Sequence, residues 1–137
     1  MAFSNEIELS VPFHHLDPLQ VVWHGNYFQY FDQARFALFE AAGVDLYHYM
    51  HNENLVFPIT RTSIKCIAPL RGKDLFLCRA AVVEARYKIS LTFEIHRLPD
   101  GLLCARGTGE QVAVKLPEME MLFEIPDPIS KALLTTP

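Results

Sequence analysis

The segment from about residue 26 to residue 42 constrains the fold more than any other part of the sequence. Its polar side chains are spaced by three, four and seven residues and fall on one narrow stripe of an α-helix: Asn26, Gln29, Gln33 and Glu40. Nearly all its other residues are apolar, and Gly43 supplies a natural C-terminal cap. We therefore predict a helix buried over most of its circumference, around which the rest of the chain must wrap.

Strand-like segments supply that wrapping. Four of them follow the helix, at about 56–67, 74–86, 88–98 and 102–115, and a shorter one precedes it at about 6–13. The third alternates Ile89, Leu91, Phe93 and Ile95 with polar residues, which predicts a strand with one face on the core. Turn residues at 71–74 and 99–101 predict an antiparallel meander. The predicted fold class is α+β, with a sheet that curls around one helix.

Length and composition exclude several classes of protein. The 137 residues fit one domain, with a predicted core at about 5–115 and a tail at 116–137 that contains one short helix. Residues 45–54 are predicted to form a loop or a helical extension. A net charge of −4 argues against general nucleic-acid binding, and no apolar run is long enough to span a membrane.

The cysteines and the first residues bear on the cellular compartment. Cys66, Cys78 and Cys104 are odd in number, far apart and set in apolar segments. We predict that they are free, buried thiols in a reducing compartment. The first residues carry no secretory pattern, and the predicted localisation is cytoplasmic.

A carboxylate lies shortly before the predicted helix, and its position suggests a catalytic role. Asp17 precedes the helix start, where backbone N–H groups at His24, Gly25 and Asn26 are predicted to be free. The positive end of the helix dipole lies at the same place, and such a terminus stabilises an oxyanion. Thioester hydrolysis requires this combination, because the N–H groups polarise the carbonyl while the carboxylate attacks it or activates a water.

The stretch from Asp17 to Arg35 also resembles a family motif. The 4-hydroxybenzoyl-CoA thioesterase family of hotdog-fold proteins has the run D-x-x-G-x-V-(W/Y)-(H/Y)-x-x-Y, followed by an aromatic pair, an acidic residue and A-R. The matching residues are Asp17, Val22, Trp23, His24, Tyr27, Tyr30, Phe31, Asp32, Ala34 and Arg35. The turn at 69–74 is similar to the family's P-x-x-x-G-D turn, and the resemblance covers residues 5–115.

The resemblance implies a hotdog fold, in which a curved five-stranded antiparallel sheet wraps one long helix. It implies a thioesterase acting on acyl-CoA or acyl-carrier-protein substrates, as a homodimer or homotetramer with active sites at the subunit interface. Asp17 would be the catalytic carboxylate, and the N–H at His24, together with Gly25, would polarise the thioester carbonyl. Tyr27, Phe31 and Asp32 would line the acyl pocket, with Asp32 facing its far end across the dimer. No metal or organic cofactor is expected.

Two departures from the family pattern concern substrate binding. The family's glycine in the loop after the catalytic aspartate is replaced by Gln20, which would alter a loop that needs an unusual backbone angle. Some relatives carry a tyrosine four residues before the aspartate, where this chain has Phe13, which cannot donate a hydrogen bond.

Several interpretations stay open at the level of sequence. His24 could act through its side chain or only through its backbone, and Asp32 could form an ion pair with Arg35 instead of contacting substrate. Asp17 could be a nucleophile or a general base. The candidates for CoA phosphates, each of which could be an ordinary surface charge, are Arg71, Lys73, Arg86 and Lys88.

Two other functions compete with hydrolysis. A hotdog dehydratase or hydratase would need a catalytic histidine paired with a carboxylate, whereas here a carboxylate leads the motif. A non-catalytic acyl-CoA-binding module would keep the pocket without needing Asp17. A metal site built from His14, His15, Asp17 and His24 is disfavoured, because adjacent histidines on an extended chain point to opposite sides.

Overall fold

The predicted long helix is present, and it ends as the sequence indicates. In the computed structural model, which describes residues 2–135, helix α1 spans Asn26–Ala41 and Gly43 adopts a φ of 74° beyond its end. The left-handed angle at Gly43 is the conformation of a C-terminal cap, which glycine adopts without steric cost. In chain order the elements are β1 (Ser4–Ser10), a 3₁₀ turn (Phe13–His15), α1, α2 (Leu46–Glu53), β2 (Leu55–Val56), β3 (Ile59–Cys66), β4 (Leu75–Glu84), β5 (Ile89–Leu98), β6 (Leu103–Gln111), β7 (Val114–Lys115), β8 (Glu120–Met121) and α3 (Asp127–Leu134).

The main sheet has five strands in the order β1-β4-β5-β6-β3, and each neighbouring pair is antiparallel. This confirms the predicted α+β class and the antiparallel sheet. The meander is limited to β4, β5 and β6, because β3 pairs with β6 at one edge and not with β4. The chain therefore crosses between β3 and β4 from one edge of the sheet to the second strand from the opposite edge, where the sequence had suggested a simple turn. β1 occupies the free side of β4.

Two further elements differ from the sequence prediction. A second sheet with the order β2-β7-β8 was not anticipated, because two-residue strands carry no readable period. Residues 46–53, described as a loop or helical extension, form the separate helix α2. Asp45 caps this helix, since its Oδ1 accepts hydrogen bonds from the N–H groups of Tyr47 (3.0 Å) and His48 (3.2 Å).

Helix α1 lies on the inner face of the main sheet and is buried on that side only. Its buried residues recur at helical spacing: Tyr27, Tyr30, Phe31, Ala34, Arg35, Leu38 and Phe39. Phe36, on the opposite side, is 61% exposed. The exposed residues of α1 are Gln29, Gln33 and Glu40 of the predicted polar stripe, together with Phe36 and Ala41, so the predicted narrow exposed edge is present and is widened by two apolar residues.

The middle of α1 approaches the sheet closely at Gly107. A Cβ atom at this glycine would lie 2.3 Å from the ring of Phe31 and 2.7 Å from the carbonyl oxygen of Ser63, so no larger residue fits unless these groups shift. The Phe31 ring stacks on Phe93 of β5, with ring centroids 4.6 Å apart. This packing fixes the position of α1 and of the loop that precedes it.

The C-terminal segment belongs to the same hydrophobic core. Ile125, Ile129 and Leu133 are buried with the residues of the main sheet, and the N–H of Phe3 donates to the carbonyl of Leu133 at 3.1 Å. Residue 115 is therefore not the boundary of the core. Within residues 2–135, no helix is both long enough and apolar enough to cross a bilayer.

The cysteines are free but not all buried. Cys78 and Cys104 are buried as predicted, whereas Cys66 is exposed. The prediction fails for Cys66 because it ends the edge strand β3, where only one neighbouring strand covers the backbone.

Candidate active site

Asp17 lies in a tight turn within the loop that joins β1 to α1. Its carbonyl accepts a hydrogen bond from the N–H of Gln20 (2.9 Å), and its own N–H donates to the carbonyl of Val21 (2.9 Å). The N–H of Leu19 donates to the carboxylate Oδ1 at 2.8 Å. Pro18 follows Asp17 and favours this turn. One carboxylate oxygen is thus held by the backbone, which fixes the direction of the side chain.

Gln20 keeps the unusual backbone angle that the family motif assigns to glycine. Its φ is 64°, in the left-handed region that side chains with a Cβ disfavour by about 1–2 kcal/mol. The replacement of glycine therefore does not abolish the turn, and the loop bears the steric cost instead.

His15 anchors the loop against α1. It is buried, and its carbonyl accepts hydrogen bonds from the N–H of Trp23 (3.0 Å) and from Nδ2 of Asn26 (3.0 Å). Its Nδ1 shares a hydrogen bond of 2.7 Å with the hydroxyl of Tyr30. Burial, and secondarily the neighbouring His14, lower the pKa of His15 below its ordinary 6.5. No pattern in the sequence indicated this anchoring role, because a histidine's burial depends on tertiary contacts.

The start of α1 offers two backbone donors. The N–H of Asn26 donates to the carbonyl of Trp23 (2.9 Å), and that of Tyr27 donates to the carbonyl of His24 (3.2 Å). Asn26 was predicted to be free and is not, because a tight first turn uses its N–H. Within residues 2–135 the N–H groups of His24 and Gly25 have no acceptor. The donors at the positive end of the helix dipole are therefore these two.

These groups meet in one cleft of about 280 Å³. The cleft is lined by Asp17, His24 and Tyr27, by Cys66 at the end of β3, and by Ala68 and Pro69 of the segment that follows. Burial raises the pKa of the Tyr27 phenol above its ordinary 10.0, so this side chain stays neutral near pH 7. The carboxylate of Asp17 and His24, which carries one of the two unpaired backbone donors, thus border the same space, and Gly25 follows His24 in the chain without lining the cleft.

Two residues that were predicted to line the acyl pocket do not line this cleft in the single chain. Phe31 faces the core, where it stacks on Phe93. Asp32 accepts a hydrogen bond of 2.7 Å from the Arg35 guanidinium, the intrahelical pair that the spacing allowed. Neither side chain lines the space around Asp17.

The four basic candidates separate into two pairs. Arg71 forms a backbone bridge with Val21 beside Asp17, and Lys73 belongs to the same turn. Arg86 and Lys88 follow the far end of β4, about 30 Å away along a strand of this length. Both are engaged there. Lys88 lies 3.1 Å from Glu110, and Arg86 lies 3.6 Å from Glu124.

A second cavity, of about 380 Å³, lies at the opposite end of β3 between α1 and α2. Its walls are mainly apolar, but Arg35 and Gln111 also line it and both are buried. Burial lowers the pKa of Arg35 from its ordinary value, an effect that the adjacent Asp32 partly offsets. Sequence reasoning missed Gln111, because a polar residue at the end of a strand does not reveal its own burial.

Residues 11–133 match the sequence profile of the thioesterase-like superfamily, and the chain belongs to that superfamily. This confirms the resemblance seen in the sequence. No curated protein matches the sequence significantly.

Solved structures with the same fold include enzymes that act on CoA thioesters. A 1,4-dihydroxy-2-naphthoyl-CoA thioesterase from Synechocystis superimposes with a TM-score of 0.87 at 22% identity, covering 94% of each chain. The 4-hydroxybenzoyl-CoA thioesterase of Pseudomonas sp. strain CBS-3 gives a TM-score of 0.84 at 20% identity, covering 96% of this chain and 99% of the other. A hypothetical protein from Thermus thermophilus gives 0.80 at 25% identity, covering 93% and 95%. At these identities the likeness establishes the hotdog fold.

Proposed function

We propose that this protein hydrolyses acyl-CoA thioesters, with Asp17 as the catalytic carboxylate. The observation that supports the proposal is the cleft at the start of α1, which is lined by both Asp17 and His24, a residue whose backbone N–H is unpaired. Hydrolysis of a thioester needs hydrogen-bond donors at the carbonyl oxygen and a nucleophile or base beside the carbonyl carbon. The cleft supplies both kinds of group.

In the proposed reaction the thioester carbonyl oxygen accepts hydrogen bonds from the helix N-terminus. The negative charge that develops on this oxygen is stabilised there by the N–H groups and the helix dipole. Asp17 either attacks the carbonyl carbon, forming an anhydride that water then cleaves, or removes a proton from the attacking water. In both cases water supplies the oxygen of the product acid, and the thiol leaves as CoA. No metal or organic cofactor takes part.

CoA is the favoured carrier because of the relatives and the local charges. The similar structures from Synechocystis and Pseudomonas are thioesterases of aryl-CoA substrates. Arg71 and Lys73, which belong to one turn beside the Asp17 loop, are basic residues placed near this cleft to bind CoA phosphates. Acyl-carrier protein remains the alternative carrier.

The proposed assembly is a homodimer formed through β3, which could pair further into a tetramer. β3 is an eight-residue edge strand without proline, and seven of its residues are exposed. An edge strand with unpaired backbone groups is a template for another strand. Pairing of two copies across a two-fold axis would satisfy both edges at once. The proposed location is the cytoplasm.

Replacing Asp17 with asparagine tests the reaction. The change keeps the size of the side chain but removes its basicity and nucleophilicity, so we expect CoA release to fall by about 10²–10⁴-fold. The measurement is thiol release from short, medium, long and aromatic acyl-CoAs by wild type and Asp17→Asn. Asp127→Asn, an exposed aspartate in α3, is the matched control and should keep full activity.

Two results would contradict the proposal. Undiminished hydrolysis by Asp17→Asn would show that another group carries the chemistry. Binding of acyl-CoA by wild type without any thiol release would favour the non-catalytic binding module, or a substrate presented on a carrier protein.

A further inference from the structure

The peptide unit between Trp23 and His24 is held through its carbonyl oxygen. The N–H of Asn26 donates to the Trp23 carbonyl at 2.9 Å. The Trp23 carbonyl and the His24 N–H belong to one planar, trans peptide unit, so the two groups point in opposite directions. A hydrogen bond that fixes this carbonyl therefore also fixes the direction of the His24 N–H, which has no acceptor within residues 2–135.

The side chain of Asn26 closes a ring of hydrogen bonds at one oxygen atom. The carbonyl oxygen of His15 accepts from Asn26 Nδ2 at 3.0 Å and from the Trp23 N–H at 3.0 Å. The two residues that bracket His24 and Gly25 are thus bound to the same acceptor. Together with the bond from the Asn26 N–H to the Trp23 carbonyl, these bonds form a closed ring that includes the peptide unit of the His24 N–H.

His15 is a fixed reference point for this ring. It is buried, and its Nδ1 shares a hydrogen bond of 2.7 Å with the hydroxyl of Tyr30. Tyr30 is also buried and packs against Phe76 of β4, with ring centroids 4.9 Å apart. It follows Asn26 by four residues, so both lie on the same face of α1. The carbonyl that holds the Asn26 amide is therefore anchored to the helix and to the sheet.

Helix α1 itself does not require an asparagine at its first position. Asparagine ranks below leucine in helix propensity, and Gly25, at the N-cap, makes no side-chain capping bond. The Asn26 amide bonds instead to His15, in the loop that carries Asp17. Asn26 thus joins this loop to the helix start, where Asp17 and His24 border one cleft.

We propose that Asn26 is a positioning residue for the proposed reaction: its side-chain amide, bound to the His15 carbonyl, holds the His24 N–H in the orientation that polarises the thioester carbonyl. The inference rests on the proposed function for the identity of the substrate. Asn26 does not line the cleft, so it acts through the His24 peptide and not by contact with the substrate. Without the amide the ring of hydrogen bonds is open, and this peptide is free to rotate.

Two variants of similar size test the role of the Asn26 amide. Neither leucine nor ionised aspartate can donate to the His15 carbonyl. We expect Asn26→Leu and Asn26→Asp to lower kcat by about 10–10²-fold, because a small misplacement of a catalytic group is costly. KM should change by less than about threefold, because the lost interaction matters mainly in the transition state. Thermal unfolding checks that both variants are folded.

Asn52→Leu is the matched control for the lost amide. Asn52 Nδ2 shares a hydrogen bond of 2.8 Å with His48 Nδ1 on the exposed surface of α2. Its removal costs a comparable bond outside the cleft, so kcat should stay at the wild-type value. An unchanged kcat in Asn26→Leu would overturn the proposal.

A double-mutant cycle separates positioning from a general structural effect. His24→Pro deletes the N–H that Asn26 is proposed to orient. In that background Asn26→Leu should lower kcat by less than about twofold further, because the donor is already missing. Full multiplication of the two single effects would show that Asn26 acts independently of the His24 N–H, and it would overturn the proposal.

The carbonyl band of a bound thioester reports the same donor without turnover. The probe is the tightest-binding acyl-CoA of the panel above, labelled with ¹³C at the thioester carbonyl and bound to Asp17→Asn. Because a hydrogen bond lowers the stretching frequency of a carbonyl, difference infrared spectroscopy should show the bound band below that of free acyl-CoA. Adding Asn26→Leu should move the band back toward the free value, whereas adding Asn52→Leu should not. A band that Asn26→Leu leaves in place would overturn the proposal, even if kcat falls.

The infrared band also separates this inference from the proposed reaction. If the band depends on Asn26 but wild type releases no thiol, the positioning role stands and the proposed hydrolysis fails. If wild type releases thiol while Asn26→Leu changes neither kcat nor the band, hydrolysis stands and the positioning role fails.

Discussion

The cleft at Asp17 and the cavity at Arg35 lie at opposite ends of the same strand and are built in different ways. The cleft is made from a loop, a helix start and the end of β3, and its donors are backbone N–H groups. The cavity is made from regular elements, and the polar residues that line it are buried. Backbone donors are fixed by the fold and suit a reaction common to many substrates. Side-chain donors and acceptors can change by single substitutions, so the fold does not constrain them in the same way.

After the loss of Asp17 itself, the largest effect is expected from removing a backbone donor in the cleft. His24→Pro deletes both the N–H and the imidazole, whereas His24→Ala deletes only the imidazole. If the backbone carries the function, kcat should fall by about 10²–10³-fold more in the proline variant than in the alanine variant. Steady-state measurements of kcat with the best acyl-CoA substrate give this difference. Thermal unfolding checks that both variants are folded.

The alternative role of His24 gives the opposite result. An equal and large loss in His24→Ala and His24→Pro would assign the function to the imidazole. The cleft would then resemble the cavity, with a side chain as its polar group, and the contrast between the two regions would disappear.

A smaller effect is expected at the anchor of the cleft loop. Because the pKa of His15 is lowered below 6.5 in the folded protein, the unfolded chain binds more protons just below that pH. The free energy of unfolding should therefore decrease as the pH falls below about 6.5, by at most about 1.4 kcal/mol per pH unit for one proton. Thermal unfolding between pH 5 and 8 measures the slope.

Variants of the two adjacent histidines identify the source of that slope. His15→Asn keeps a polar group near the Tyr30 hydroxyl but does not titrate, so the slope should be reduced. His14→Asn, at an exposed position, should retain most of it. A wild-type slope in His15→Asn would exclude His15 as the acid-sensitive anchor of the cleft.

The smallest effect is expected at Gln20. Glycine there removes the steric cost of a φ of 64°, while the greater flexibility of the unfolded chain opposes the gain. Gln20→Gly should stabilise the protein by about 0.5–1 kcal/mol with unchanged turnover. Gln29→Gly, on the exposed side of α1, should instead destabilise it by about 1 kcal/mol. Loss of turnover in Gln20→Gly would mean that the glutamine side chain itself serves the cleft. Urea unfolding measures both variants.

Local patterns in the sequence determined much of this fold. The bounds of α1, its cap at Gly43 and the alternation of β5 follow from residue spacing, and all are present in the structure. The position of Asp17 shortly before the helix start also follows from the sequence, because few residues separate them. Over such short distances the backbone geometry fixes which groups are neighbours.

Only the tertiary structure decided the order of the strands and the environment of particular side chains. The sequence did not indicate that β3 crosses to the far edge, that Cys66 and Phe36 are exposed, or that Gln111 is buried beside Arg35. These features depend on contacts between residues far apart in the chain. The residues next to a side chain in the sequence do not reveal which distant residues pack against it. Its burial is therefore known only once the whole chain is folded.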